Sequence, residues 1–291
     1  ALGEAPSPIV YGMGRDAEAA GITDITTATA KYGKLVTYNE EVDLFNVNTR
    51  AAEFMTPIGR NAGVTLDKLM SAVYDAETTQ VWEGGTNTGT VDEAIKLVTV
   101  DTAFTNLDAY DAMTFEPMST GATIIGSTPL EAAYLGICHP HVRYDISKMT
   151  GFNPVSTYAS HVSTYTGEFG EINGVRWVSS SNCPVAADAG AGNALLRGTT
   201  NAAVNVDVYS SFIYAMNAVG SVGLGENHTK EIYMEGTKPA TIEVIHHAMD
   251  SGGLSNPFNE VGGIAWKAWW AGKVLDSNLL FKVESGATIP A

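Results

Sequence analysis

The stretch Glu41–Ala76, EVDLFNVNTRAAEFMTPIGRNAGVTLDKLMSAVYDA, decides how the chain is read. Apolar residues recur in it at Val47, Ala51, Phe54/Met55, Ile58, Ala62, Leu66, Leu69 and Val73. Gaps of three and four residues draw one continuous apolar stripe along a helix. Asn48 and Thr49 are suited to capping its start, and Lys68 lies toward its C-terminal part with Asp67 beside it. At a rise of about 1.5 Å per residue, a helix from Asn48 to Asp75 is roughly 40 Å long, more than the diameter of a small domain. Pro57 and Gly59 interrupt it, because proline removes a backbone donor and crowds the preceding turn. The spacing predicts one long helix with a bend near Thr56-Pro57, or two collinear pieces. A helix of an ordinary bundle would carry the same periodicity. The strand- and turn-rich chain after residue 120 argues against a bundle.

Working outward, residues 1–20, with Pro6, Pro8, Gly12 and Gly14, read as an extended arm or loop. Ile22 and Ile25 then lead through a threonine-rich run to Leu35-Val36-Thr37-Tyr38: one strand, or two with a break at Gly33, feeding the helix. After the helix, Trp82–Asn87 reads as a loop, and Gly89–Val98 as a short strand or irregular crossing. Val100, Phe104, Leu107 and Tyr110/Met113 predict a second helix over Thr99–Met113. Thr120–Pro129 is a loop, Ala133–Cys138 a buried strand, and His141–Met149 a helix with Pro140 near its start. Residues 151–170 form a polar loop. Gly170–Val178 is a hairpin turned by Asn173-Gly174. Ala186–Asn205 is a loop and Val206–Ala215 an alternating strand. Lys230–Met249 and Gly263–Val283 each hold a long strand. In the last, Ile264, Trp266, Ala268, Trp270 and Val274 share one face, with Lys267, Trp269 and Lys273 on the other.

Composition excludes several classes of function. The chain has 291 residues, is 45% apolar and has 30 glycines, ample for a large core with long loops. Its 32 acids against 16 bases give a charge of −16, which repels nucleic-acid phosphates and anionic membranes. Self-assembly of such a chain needs apolar or strand-pairing contacts to overcome like-charge repulsion. Cys138 and Cys183 make no disulfide framework and read as buried thiols. The most apolar segments are too short to span a bilayer, or are interrupted by Lys267 and Lys273, which predicts a soluble protein. The start, ALGEAPSP, reads as an internal point of a longer chain.

Chemistry finds little foothold. Cys138-His139-Pro140-His141 offers a His-x-His pair beside a thiol, and His246-His247 could complete a zinc site. Against this, Cys138 ends an apolar strand, His139-Pro140 serves as a strand-to-helix turn, and a strand at His246-His247 points one ring to the core and one to solvent. Gly190-Ala191-Gly192 and Gly220–Gly225 lack the strand–glycine–helix order and the lysine of a phosphate cradle, and read as loops. Neither a nucleophile elbow nor a zincin helix motif is present. Glu40-Glu41 and Glu226 with Glu231 read as solvated faces, and Asn227-His228-Thr229 is a glycosylation sequon by pattern alone. No catalytic, cofactor-binding or metal-ligating residue is assigned, and no cofactor is expected.

Taken in order, several pieces resemble the major capsid proteins of tailed bacteriophages, and most closely the family typified by the coat protein of the podovirus N-four. Lys31-Tyr32-Gly33-Lys34-Leu35-Val36 through Val42-Asp43-Leu44 is similar to that family's lead-in to its long helix. Cys138-His139-Pro140-His141-Val142 resembles its apolar strand ending in His-Pro. Gly167-Glu168-Phe169-Gly170-Glu171-Ile172-Asn173-Gly174-Val175-Arg176-Trp177-Val178 resembles its glycine-rich hairpin, with Asn173 in place of a glycine. Ser251-Gly252-Gly253-Leu254-Ser255-Asn256-Pro257-Phe258-Asn259, followed by Gly263–Lys267, is similar to its closing segment. There Asn256 replaces an acid, and Ala265 stands where a glycine precedes the tryptophan.

The resemblance implies an α+β chain with the capsid fold named after phage Hong Kong ninety-seven: a long spine helix, long antiparallel strands in a peripheral domain, and a mixed axial domain. It places residues 1–21 in an extended loop, residues 22–100 and 228–276 in the peripheral domain, and residues 101–227 and 277–291 in the axial domain. The family's N-terminal arm and first loop strand would precede Ala1, either left out or removed on maturation. The implied function is that of a non-enzymatic subunit of an icosahedral virion, assembled in the host bacterial cytoplasm as hexamers and pentamers around double-stranded DNA. The implied partners are copies of the same chain, decoration and portal proteins and packaged DNA without sequence-specific contact, with no membrane. An encapsulin-like compartment shell, or an acidic hydrolase built near His139 and His141, are the alternatives.

Overall fold

The computed structural model describes residues 24–45, 50–76, 80–115, 132–158, 164–200, 204–223, 242–248 and 258–290. In chain order these hold β1 (Ala30–Asn39), α1 (Glu40–Leu44), α2 (Arg50–Asp75), β2 (Gln80–Trp82), α3 (Leu97–Ala109), β3 (Tyr134–Cys138), α4 (Arg143–Lys148) and β4 (Asn153–Pro154). Then come β5 (Glu168–Ile172), β6 (Val175–Ser179), β7 (Val185–Ala186), β8 (Val208–Tyr214), β9 (Val219–Gly223), β10 (Ile242–His247), β11 (Val261–Val274) and β12 (Leu280–Ser285). The Thr120–Pro129 loop, Glu226 with Glu231, the Asn227 sequon and most of the Ser251–Asn259 segment lie outside the described residues.

Among the described residues the strands form two sheets. The first is antiparallel, ordered β1-β11-β10, with β9 pairing farther along β11. β1 runs unbroken through Gly33, so the single-strand alternative holds. The second sheet is mixed and eight-stranded, ordered β2-β12-β8-β3-β6-β5-β4 with β7 on β8. In it β2 runs parallel to β12 and β3 parallel to β6. The β5–β6 hairpin turns at Asn173 (φ 46°) and Gly174 (φ 72°), both left-handed, as a two-residue loop requires.

The helix α2 continues through Pro57 as 26 residues. Pro57 sits in the third turn and costs the helix one hydrogen bond, which the packing of the following turns outweighs. Ile58, Ala62 and Leu66 pack on the first sheet against Tyr38, Ile264 and Trp266. Met70 and Tyr74 instead join Phe212 and Leu280 of the second sheet. Each step of four residues advances roughly 40° past a full turn. Four such steps from Ile58 to Tyr74 carry the stripe roughly 160° around the helix, from one sheet to the other. The stripe expected through Leu69 and Val73 is corrected on this point. Those two side chains are half-buried along an open groove of about 640 Å³ beside Trp270 and Val274.

One further expectation is corrected. Gly220-Ser221-Val222-Gly223, read as loop, lies in β9, because Gly220–Gly223 are held by Trp270–Lys273 through backbone pairing that needs no side chain. The long strand expected within Gly263–Val283 is β11, and β12 follows it in the other sheet after a turn at Ser277–Leu279 that Asp276 caps. The short helix α1, capped by the Asn39 side chain, precedes α2 and was not foreseen.

Candidate functional site

The Cys-His turn brings its two histidines together, but not around a metal. The His141 backbone N–H donates to His139 Nδ1 at 3.2 Å, and His141 Nδ1 lies 2.9 Å from the Tyr209 hydroxyl. Burial lowers His139 to a pKa of about 4, and the like charge of His141 and then Arg197 adds to it. His141 is lowered by burial and then by Arg197, against the pull of Asp207. Both rings are therefore neutral at pH 7. Cys138 points the other way, into the main core, fully buried. Burial raises its pKa well above the ordinary thiol value, and Cys183 is pushed up to about 12 by burial and then by Asp67. A protonated thiol is neither a ligand nor a nucleophile. Among the described residues no group of three or more metal-ligating side chains converges.

His246 and His247 are far from this turn in the fold, on edge strand β10 of the first sheet. Both are exposed, correcting the expected core–solvent split, on a strand at the edge of its sheet. His246 Nε2 instead lies 2.9 Å from the Tyr38 hydroxyl. The Tyr38 ring reaches it by crossing β11 over Gly262, where an added Cβ would meet ring carbon Cζ at 2.5 Å. Glu40 and Glu41 are exposed, as a solvated face requires.

Two buried ionic networks were not anticipated. Arg176 bonds both carboxylate oxygens of Glu168 at 2.8 Å, with side chains 3% and 0% exposed. The Tyr158 hydroxyl and the Tyr165 backbone N–H also donate to this carboxylate, and both tyrosine rings lie against the guanidinium. Lys282, 7% exposed, joins Asp75 at the end of α2 to Glu284. Ser210 and Thr88 donate to the two carboxylates. Burial disfavours the Lys282 charge, but its bonds to Asp75 and Glu284 outweigh that and raise its pKa. The available signal was Lys282-x-Glu284 on one face of a strand otherwise wholly buried. These networks pin loops and the helix end.

The features left for function are surfaces. Cross-strand partners lie on the same side of a sheet, so the register sorts β1 and β11 into two faces. One carries Tyr38, Ile264, Trp266 and Ala268 under α2. The other carries Leu35 and Trp269, 60% and 45% exposed, with Lys31, Lys267 and Lys273. Leu35 and Trp269 thus leave two large apolar side chains in solvent on the face away from α2. No described helix is long and apolar enough to cross a membrane.

Comparison with known proteins accounts for this pattern. No curated protein matches at the level of sequence. Among solved structures, the chain resembles the capsid of Ralstonia phage GP4 at 12% identity, covering 90% of this chain and 74% of that chain with a TM-score of 0.60. It resembles the bacteriophage PhiM1 mature capsid at 13% identity, covering 96% and 78% with a TM-score of 0.53. Cyanophage Pam1 capsid is similar at 12% identity, covering 99% and 83% with a TM-score of 0.51. The shared architecture is the Hong Kong ninety-seven type foreseen above. A family model described as phage capsid protein matches residues 22–283. With that match along most of its length and the fold to go with it, the chain belongs to the phage capsid protein family, as a structural subunit of a virion shell built from copies of itself and not as an enzyme.

Proposed function

We propose that this chain forms the shell of an icosahedral phage head, as hexamers and pentamers enclosing double-stranded DNA, assembled in the cytoplasm of a bacterial host. The observation that carries this reading is the first sheet, whose 14-residue β11 has one face under α2 and the other open with Leu35 and Trp269 in solvent. Such a sheet gains most when a neighbour completes its packing. The acidic balance of the chain suits the inner wall of a container that must not hold its DNA fast. Portal and decoration proteins are the further partners of this reading.

Within it, residues 22–100 and 228–276 form the peripheral domain, residues 101–227 and 277–291 the axial domain, and residues 1–21 the extended loop. The two-sheet division supports this partition. Two strands cross it: β2 pairs with β12, and β9 pairs with β11, so each domain lends the other an edge. Electron microscopy of the purified protein with its natural N-terminus tests the function. Megadalton particles with five- and six-fold capsomers are expected; a monomer at every salt concentration would overturn it.

A further inference from the structure

A ring of identical copies closes only through a heterologous contact, in which each copy offers two different surfaces to its neighbours. This deepens the shell reading and rests on it. Two exposed surfaces of opposite character on one chain meet that requirement.

The first is the open face of the β1–β11 sheet. β1 and β11 together contain four lysines and no acid, in a chain with twice as many acids as bases. Lys34 turns to the helix side. Lys31, Lys267 and Lys273 share the open face with Trp269 and Leu35, and Lys31 sits directly opposite Trp269. Lys267 is engaged by Glu243 at 2.8 Å, while Lys31 stands exposed beside Trp269 and Lys273 stands exposed at the end of the patch away from Leu35.

The second is the outer side of α3 and the residues that follow it. Residues 97–115 contain three aspartates and no base. The inner side of the helix, Val100, Ala103 and Leu107, is buried in the main core. The outer side presents Val98, 71% exposed, and Asp108, and runs on to Tyr110, Asp111 and Met113. Acid and apolar groups alternate there as lysine and apolar groups do on the sheet. We propose that the open sheet face of one copy docks on the outer side of α3 in the next, Trp269 and Leu35 seating among Val98, Tyr110 and Met113 while Lys31 and Lys273 face Asp108 and Asp111. The apolar contacts supply adhesion, and the charges select this pairing over sheet-to-sheet or α3-to-α3 contacts, each of which would set like charges together.

Assembled particles made from mixed nitrogen-14 and nitrogen-15 chains, treated with a water-soluble carbodiimide, test the pairing directly. The reagent activates a carboxyl, the lysine amine displaces it as a urea, and an amide remains. Mixed-isotope peptides joining Lys31 or Lys273 to Asp108 or Asp111 are expected. Links found only within single-isotope pairs, or only to other carboxylates, would overturn the pairing. In parallel, K31E/K273E and D108K/D111N variants should each raise the concentration needed for assembly by at least about tenfold, and their combination should recover most of the loss. Asn is chosen at 111 because that residue has φ 51°. Circular dichroism of each variant separates misfolding from lost docking. Single-face variants that fold and assemble like the parent, or a folded combination that recovers nothing, would refute the contact. A parent chain that never assembles would instead remove the shell reading itself.

Discussion

The two sheets bury themselves by different means. In the second, β12 is buried at every residue, β8 at all but one, and its charged groups are enclosed with their partners, as at Arg176–Glu168 and Lys282–Glu284. In the first, β1 has Tyr38 as its one buried residue and the 14-residue β11 mixes buried Ile264, Trp266 and Ala268 with exposed Val261, Trp269 and Lys273, and the stabilising contact comes from one side of α2. The second sheet is a finished core, whereas the first is half of a core. A chain that must first fold and then assemble needs both.

That contrast can be broken or sharpened by substitution. Arg176→Ala leaves the Glu168 carboxylate buried without its countercharge and should cost about 3–5 kcal/mol in denaturant unfolding. Ile58→Ala removes a residue just as buried but beneath the half-open sheet, where neighbours can settle inward; about 2 kcal/mol is expected, the low end for such truncations. Were the two losses equal, the distinction between the sheets would fail. Gly262→Ala drives a methyl group into the Tyr38 ring, and about 1–2 kcal/mol of strain should appear together with loss of the Tyr38–His246 bond. Leu35→Ser on the open face should leave unfolding within about 0.5 kcal/mol of the parent while weakening assembly, which light scattering would follow.

The effect of pH belongs to the second sheet. His139 takes up a proton at about 4 when folded, against 6.5 for an ordinary histidine, because of burial and then of His141 and Arg197. The unfolded chain therefore binds more protons between these values. The stability that neutral His139 contributes is whole above pH 6.5 and is lost as pH falls toward 4. His139→Gln should flatten that part of the stability profile.

Much of this fold was legible along the chain because its signals are local. The stripe from Ile58 to Leu66, the Asn173-Gly174 turn and the apolar run ending at Cys138 each declare themselves within a few residues. What could not be read depends on distant partners. Gly220–Gly223 looks like a loop until Trp270–Lys273 arrives to pair with it. Leu69 and Val73 fit the helical period as well as Met70 and Tyr74, and only the position of the second sheet decides between them. The surfaces were harder still. Alternation along β11 already set Trp269 and Lys273 on one face, but Lys31 and Leu35 join them only once β1 has found its register on β11.

The passage of α2 from one sheet to the other has a mechanical consequence. Ile58 and Tyr74 grip different sheets from nearly opposite sides of one rod. A push on the first sheet thus reaches the second as torque along the rod's own backbone ladder, since neither end is free to roll. Pro57, which takes one rung from that ladder, lies ahead of Ile58 and outside the loaded span, so the stretch between the two grips keeps its ladder whole.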